Sequence, residues 1–283
     1  VIAIIGADGQ LGQELCRLLD PAKILPLTHG DVELTDPQSL DRAIGSAAPR
    51  IVINTAAFNH VDDAELRPAD AFQTNALGVR ELARLCQKLQ ATLVHFSTDY
   101  VFGLDTLRDR PYSESDTPGP VSVYGLSKLA GECFVRSICP RHFVIRTCGL
   151  YGRHGHGGKG RNFVQTMLRI GRERGEVRVV NDQRCTPTSA ADLAAATVRL
   201  LESDVFGTYH WTNGGSCSWL QFAEQIFALA GMSVRCEPIS SAQFGARAMR
   251  PTYSVLATAA VQRLGLPAPR SWQDALRDYV AQV

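Results

Sequence analysis

The sequence predicts an α/β chain built on a doubly wound parallel sheet, with a smaller second lobe packed against it. Three observations carry that reading. Through the first half, short apolar runs of strand length alternate with longer stretches of helical period, the pattern that folds into a parallel sheet with helices on both faces. The first run, Val1–Ile5, passes straight into a glycine-rich turn and then a helix. Small and polar residues cluster just after the third and fourth runs, beyond the carboxyl ends of the strands, where such sheets bind ligands.

In chain order, Val1–Ile5 is a buried strand, and Gln10–Leu19 is a helix with Leu11, Leu15, Leu18 and Leu19 on one side. Lys23–Leu27, Arg50–Asn54 and Ala91–Phe96 are the next three strands. Between the last two, Pro68–Gln90 is one long helix whose apolar positions Ala71, Phe72, Leu77, Val79, Leu82, Ala83 and Leu85 fit a 3.6 period. Tyr124–Cys139 is a helix and His142–Thr147 a strand. Right-handed crossovers make the sheet doubly wound. In the second half, Gly152–Gly160 reads as a mobile Gly- and His-rich loop. Asn162–Arg174, Ala190–Glu202, Ser218–Ala230 and Ser271–Ala281 read as amphipathic helices, with no repeat or Pro/Ser linker between the halves.

Composition narrows the function classes. A chain of 283 residues holds one or two domains. Its net charge of +1 gives no bulk field for a polyanion, so nucleic acid is not an expected partner. No apolar run approaches the ~18 residues of a membrane span. The eight cysteines form no C-x-x-C pair, which argues against zinc and thioredoxin-like chemistry. No basic leader precedes Val1. Free thiols without an export signal point to the reducing cytoplasm.

Gly6-Ala7-Asp8-Gly9-Gln10-Leu11-Gly12 follows the first strand and opens a helix. Glycines there permit a tight turn and close approach of the backbone to a pyrophosphate, and the helix start supplies N–H groups and positive potential. This strand–turn–helix context marks dinucleotide binding by residues 1–148, leaving 149–283 as mainly a second lobe with some segments returning to the first. An acid on the ribose hydroxyls is expected ~20 residues on. Asp31 is that acid or a plain turn residue, and no Arg nearby marks a 2′-phosphate pocket. After the third strand, Asn54-Thr55-Ala56-Ala57-Phe58-Asn59 offers small residues for a flat cofactor. Val61-Asp62-Asp63 then opens a helix, where acids serve the dipole as readily as a ligand. After the fourth strand comes Ser97-Thr98-Asp99-Tyr100. Tyr124 and Lys128 stand four apart on one helix face. An ammonium beside a phenol lowers the phenol's pKa and makes it a usable acid. With Thr98 holding a carbonyl, these groups can protonate a ketone oxygen as a hydride arrives.

At these residues the chain resembles the dTDP-4-dehydrorhamnose reductase family of the extended short-chain dehydrogenase/reductase superfamily. The matching stretches are GADGQLG (6–12), NTAAFNHVDDAE (54–65), FSTDYVFG (96–103), YGLSKLAGE (124–132), RTCGLYG (146–152), NFVQTML (162–168), NDQRCTPT (181–188) and RPTYSVL (250–256). They span nearly the whole chain in the family's order. A nucleotide-sugar 4,6-dehydratase usually shows Glu after the Thr-Asp pair, whereas Tyr100 stands here.

The resemblance implies a Rossmann-type domain with a C-terminal substrate lobe. It implies reduction by NADPH or NADH of the 4-keto group of dTDP-4-dehydro-6-deoxy-L-mannose, giving dTDP-L-rhamnose. The cofactor set is then Gly6, Gly9, Gln10, Leu11, Gly12, Asp31, Glu33, Leu34, Ala56, Ala57, Phe58, Asn59, Tyr124 and Lys128. The nucleotide-sugar set is Val61, Asp62, Thr98, Asp99, Tyr100, Asn162 and Arg250. Tyr124, Lys128 and Thr98 are the catalytic residues. Some members carry a Trp against substrate in an R-T-S-W-x-Y stretch, and Gly149 in Arg146-Thr147-Cys148-Gly149-Leu150-Tyr151 removes that ring and leaves space. Some relatives bind magnesium at a dimer interface, so magnesium and a homodimer are candidates that no residue here locates. His154 and His156 lack a third ligand and read as solvated. Two other functions share the Tyr–Lys pair: a nucleotide-sugar epimerase, and a non-catalytic subunit like the regulatory subunit of methionine adenosyltransferase.

Overall fold

The computed structural model describes residues 1–153 and 161–283. The Gly152–Gly160 loop therefore falls mostly outside the described residues, and so do His154 and His156. Strands β1 (Ile2–Ile5), β2 (Ile24–Leu27), β3 (Ile51–Asn54), β4 (Thr92–Thr98) and β5 (His142–Thr147) form one parallel sheet. The late strand Gly207–His210 joins it beside β5, so the spatial order is that strand, then β5-β4-β3-β1-β2. The chain leaves β1 toward β2 on one side and crosses back to β3 on the other. A crevice opens where two such connections diverge, here above β1 and β3.

Alternate residues of each strand feed two cores, as the two-residue period requires. Ala3, Ile5, Val52, Leu93 and Val144 face Val79, Leu82, Cys86 and Val135 on one side. Ile4, Ile53, Val94, Phe96 and Ile145 face Leu11, Leu15 and Leu193 on the other. Each large aliphatic side chain so buried contributes ~1.5–3 kcal/mol. Because β4 is covered on both faces, all seven of its residues are buried, polar ones included.

Two helices depart from the sequence pattern. Helix Gln10–Leu18 keeps Leu11 and Leu15 inside, but Leu18 points to solvent. The long helix splits into α-helical Pro68–Phe72, a π-helical turn Gln73–Gly78 and α-helical Val79–Leu89. The wider turn rotates the apolar face, which leaves Phe72 and Leu77 exposed rather than in the core.

In the second half, helices Phe163–Arg174, Trp219–Leu229 and Trp272–Val280 enclose Val164, Leu168, Phe222, Phe227 and Leu276. A parallel pair, Glu176–Val180 with Arg235–Ile239, flanks them. Helix Ala190–Leu200 packs back on Gln10–Leu18. Among the described residues no helix is long and apolar enough to cross a membrane.

Candidate active site

A cleft of ≈ 750 Å³ runs across the carboxyl ends of the strands. One end is made of backbone. Gly6 has φ +77°, and a Cβ there would lie 2.7 Å from Thr55 Oγ1 and 3.0 Å from the Ala56 nitrogen. Only glycine lets the β1 turn lie this close to the end of β3. Gly9 caps helix Gln10–Leu18 without any side-chain bond, so the first N–H groups of the helix receive no side-chain acceptor from the cap residue. Gly6, Gly9, Gln10 and Leu11 line the cleft. Gln10 offers it little through its side-chain oxygen, which accepts from the Gly152 N–H (2.9 Å) and the Asn162 amide (3.0 Å).

Gly12 does not line the cleft. A Cβ on it would stand 2.1 Å from the Gly6 carbonyl oxygen, so it is glycine because helix and turn touch. Asp31 bonds within the turn after β2. Its carboxylate accepts from the Thr28 N–H (2.8 Å) and hydroxyl (2.7 Å), which hold its pKa below the usual range, and it lies off the cleft. Thr28, His29, Glu33 and Leu34 line this end instead.

Ala56, Ala57, Phe58 and Asn59 form the middle of the cleft. Asn75, in the π-helical turn, holds them. Its Oδ1 accepts from the Phe58 N–H (2.8 Å), and its Nδ2 donates to the Phe58 carbonyl (2.9 Å) and to Ser127 Oγ (3.0 Å). The distorted turn thus ties this cleft-lining loop to the Tyr124 helix at Ser127, the residue before Lys128. Neither Asn75 nor its cleft-lining neighbour Thr74 stood out in the sequence; no spacing rule marks a π-helical turn.

The other end is made of side chains. Helix Val123–Ile138 starts on a Ser122 cap, and Glu65 accepts from the Val123 N–H (2.9 Å). Tyr124 and Lys128 both face the cleft, beside Thr98, Asp99 and Tyr100. The Tyr100 and Tyr124 rings meet edge to face at 5.9 Å. The Thr98 hydroxyl donates to Asp99 Oδ1 (3.1 Å) and accepts from the Tyr100 N–H (3.2 Å). Ser254 Oγ donates to Asp99 Oδ2 (2.6 Å), 155 residues away in sequence. Burial raises the Asp99 pKa, against the pull of those hydroxyls.

The electrostatics correct the expected phenol–ammonium couple. Burial pushes the Tyr124 phenol up to about 12, with a hydrogen bond from Thr98 the main opposing influence. Lys128, 3% exposed, donates from Nζ to the Phe96 carbonyl (2.7 Å). Burial draws its pKa down to about 8, and the Glu132 carboxylate one turn on pulls the other way. Glu132 is itself fixed by Ser97 Oγ (2.6 Å) and by a two-pronged bond from Arg146 (2.8 and 2.7 Å). A buried charge pair with this many partners is expensive to break, so the floor beneath Lys128 is rigid.

Three expected sugar contacts are engaged with other groups of the protein. Arg250 pairs with Asp62, with Nη2 to Oδ2 at 2.7 Å and Nη1 to Oδ1 at 3.2 Å, and also hydrogen-bonds Tyr100, which lines the cleft together with Val61. Asn162 is 2% exposed, and its Nδ2 donates to Gln10, the Gly152 carbonyl and the Tyr279 hydroxyl. Gly149 has φ +52°, and a Cβ would meet Pro187 Cα at 3.3 Å and Trp219 Cη2 at 3.5 Å. The space expected there is filled. Thr147, Cys148, Phe163 and Trp219 complete the wall. Among the described residues no three His, Cys, Asp or Glu side chains gather in a way that could hold a metal ion.

The comparisons with known proteins agree with this geometry. Residues 1–283 match the family described as RmlD substrate binding domain. The dTDP-4-dehydrorhamnose reductase of Sinorhizobium fredii is 36% identical over 99% of this chain and 96% of its own. The chain belongs to the dTDP-4-dehydrorhamnose reductase family. The spore coat polysaccharide biosynthesis protein SpsK of Bacillus subtilis is 39% identical over 99% of this chain and 97% of its own. A crystal structure of the dTDP-4-dehydrorhamnose reductase of Bacillus anthracis, a complex with NADP, superposes with a TM-score of 0.95 at 39% identity, covering 100% of this chain and 99% of that one. Membership agrees with both ends of the cleft: a backbone cradle suited to a dinucleotide, and Thr, Tyr and Lys converging beyond β4.

Proposed function

We propose that this protein reduces the 4-keto group of dTDP-4-dehydro-6-deoxy-L-mannose to give dTDP-L-rhamnose, using NADPH or NADH. The observation that carries it is the convergence of Thr98, Tyr124 and Lys128 at one end of a cleft whose other end is the Gly6–Leu11 cradle. The residues fit a dinucleotide, because a Cβ at Gly6 would fill the cradle and the helix start above it lacks a side-chain cap. Gly9, Gln10 and Leu11 would hold the pyrophosphate, Glu33 and Leu34 the adenosine end, and Ala57, Phe58 and Asn59 the middle. Bound there, the nicotinamide supplies a hydride.

This chain's residues then deal with the ketone oxygen. Thr98 turns its single hydroxyl proton from Asp99, to which it donates in this structure, toward the carbonyl oxygen and so orients it. Tyr124 gives its proton to the oxygen as charge develops, so that C=O becomes CH–OH. A phenol with a pKa near 12 holds its proton at neutral pH, as a general acid must. Lys128 spends one N–H on Phe96 and has two left for the nicotinamide ribose and the departing proton's field. A cytoplasmic location goes with eight free thiols, and a homodimer with the resemblance.

Oxidation of NADPH and NADH in the presence of a panel of 4-keto-6-deoxy sugar nucleotides tests the assignment. Turnover with release of the oxidised cofactor supports it. Protein that arrives with NAD it does not exchange, or that turns over no keto sugar and captures a partner enzyme, overturns it in favour of an epimerase or a binding subunit.

A further inference from the structure

The geometry points to Trp219, backed by Phe163, as the aromatic wall that grips the sugar ring and favours a 6-deoxy sugar over its 6-hydroxy counterpart; this rests on the reading just given. The two rings arrive by the same device. Phe163 and Trp219 each occupy the first position of a helix, and each helix starts on a capping box, Asn162 with Gln165 and Ser218 with Gln221. Such a box fixes the entry of the chain and hence the direction of the first side chain. The rings meet at 4.8 Å between centroids. Phe163 in turn stacks on the fully buried Phe222 at 5.5 Å, with 13° between planes. The wall is therefore preorganised. Trp211 and Trp272 are buried, whereas Trp219 is half-buried and faces the cleft.

Its position says which part of a ligand it meets. The β4–β5 register sets Thr98 opposite Thr147, and Gly149 lies two residues further along. The tip of the Trp219 ring lies 3.5 Å from where a Cβ on Gly149 would be. Positive φ and the missing side chain at Gly149 let the ring close on the row that carries Thr98. The glycine cradle, by contrast, follows β1, two strands away from β4. The polar demands of the keto group are met by Thr98 and Tyr124. The hydroxyls on C2 and C3 project from the ring edge, and what an aromatic face can pack against is the C–H surface of the ring and, in a 6-deoxy sugar, its methyl group. A hydroxyl on C6 would lose water against carbon, a mismatch that an apolar wall penalises by about ten- to a hundredfold.

The test compares Trp219→Leu and Trp219→Phe with the parent protein. Calorimetric Kd values are taken for dTDP, dTDP-L-rhamnose and dTDP-L-mannose with NADP+ present, and KM and kcat for the 4-keto-6-deoxy substrate. In Trp219→Leu, the Kd of dTDP-L-rhamnose and the KM rise about tenfold or more. The dTDP affinity and kcat stay within about threefold, and the preference for the deoxy sugar collapses toward one. Trp219→Phe, which keeps a ring and the helix start, lies between and guards against a folding defect in the Leu variant. An equal loss of affinity for dTDP would mean that the ring holds the nucleobase and would overturn the proposal. So would an unchanged deoxy preference in both variants. If the parent protein neither binds dTDP-L-rhamnose nor oxidises NADPH with the keto sugar, the functional reading itself fails and this inference with it.

Discussion

The two ends of the cleft are built on opposite principles. At the Gly6 end the ligand-facing groups are main chain, and side chains matter by their absence: a Cβ would strike Thr55 from Gly6 or the Gly6 carbonyl from Gly12. At the Thr98 end the working groups are side chains held by residues far away in sequence, such as Ser254 on Asp99 and Arg146 on Glu132. A backbone site fails all at once when a side chain is added. A side-chain site fails one function at a time.

The largest expected effect is therefore at Gly12. Any Cβ there must move the Gly6 carbonyl, against which it would sit at 2.1 Å. Gly12→Val is expected to abolish NADP(H) binding by calorimetry and to lower Tm sharply. A variant that binds cofactor with parental affinity would show that the turn relaxes freely and that the Gly6 end does not fail all at once. Next comes Tyr124→Phe, which keeps the ring against Tyr100 and removes one proton. General-acid catalysis is worth ~10²–10⁴-fold, so kcat should fall by about that much while cofactor Kd and Tm hold. Near-parental turnover would remove Tyr124 from the chemistry.

Legibility in the sequence follows the same division. The β1 turn was readable because glycine is required by backbone contact, and the pattern is local. Tyr124 and Lys128 were readable because four residues make one helical turn. The partners of Asp62, Arg250 and Asn162 were not, because they lie 188 and up to 152 residues away. The π-helical turn around Asn75 and the aromatic pair Phe163–Trp219 carry no spacing rule at all. The Tyr124 pKa was misjudged for a related reason. Adjacency on a helix says nothing of burial, and burial outweighs every neighbouring charge here.

Lys128 sharpens the comparison through pH. Burial lowers its pKa from 10.5 to about 8. The folded value lies below the unfolded one, so the buried ammonium disfavours folding near pH 7, by about 3 kcal/mol. That penalty fades as pH climbs from about 8 toward 10.5. Lys128→Met should therefore cut turnover and weaken cofactor binding. Its Tm at pH 7 should nonetheless equal or exceed the parent's, even with the Phe96 carbonyl left without its donor. The Tm difference should shrink by pH 10. In the parent, kcat/KM for reduction should fall as pH rises through about 8, where Lys128 loses its proton in the free enzyme. A Tm difference that does not change with pH would remove burial as the cause.

The smallest expected effect is at Asp31, and it separates a turn residue from a ribose acid. One oxygen of this exposed carboxylate, Oδ2, accepts both bonds from Thr28 and ties the turn after β2. Its lowered pKa means that it favours the folded state above the unfolded carboxylate value and loses that effect as pH falls. Asp31→Ala should loosen the Thr28 turn slightly and raise the KM for NADH and NADPH alike, by less than about threefold, since no contact to either cofactor is removed. An acid on the ribose hydroxyls behaves otherwise, because it accepts hydrogen bonds from the 2′-OH of NADH and repels the 2′-phosphate of NADPH. Its loss would raise KM for NADH about tenfold or more while improving NADPH. Steady-state kinetics with both cofactors reads the difference directly: parallel small changes keep Asp31 in the turn, and divergence of the two KM values returns it to the cofactor site.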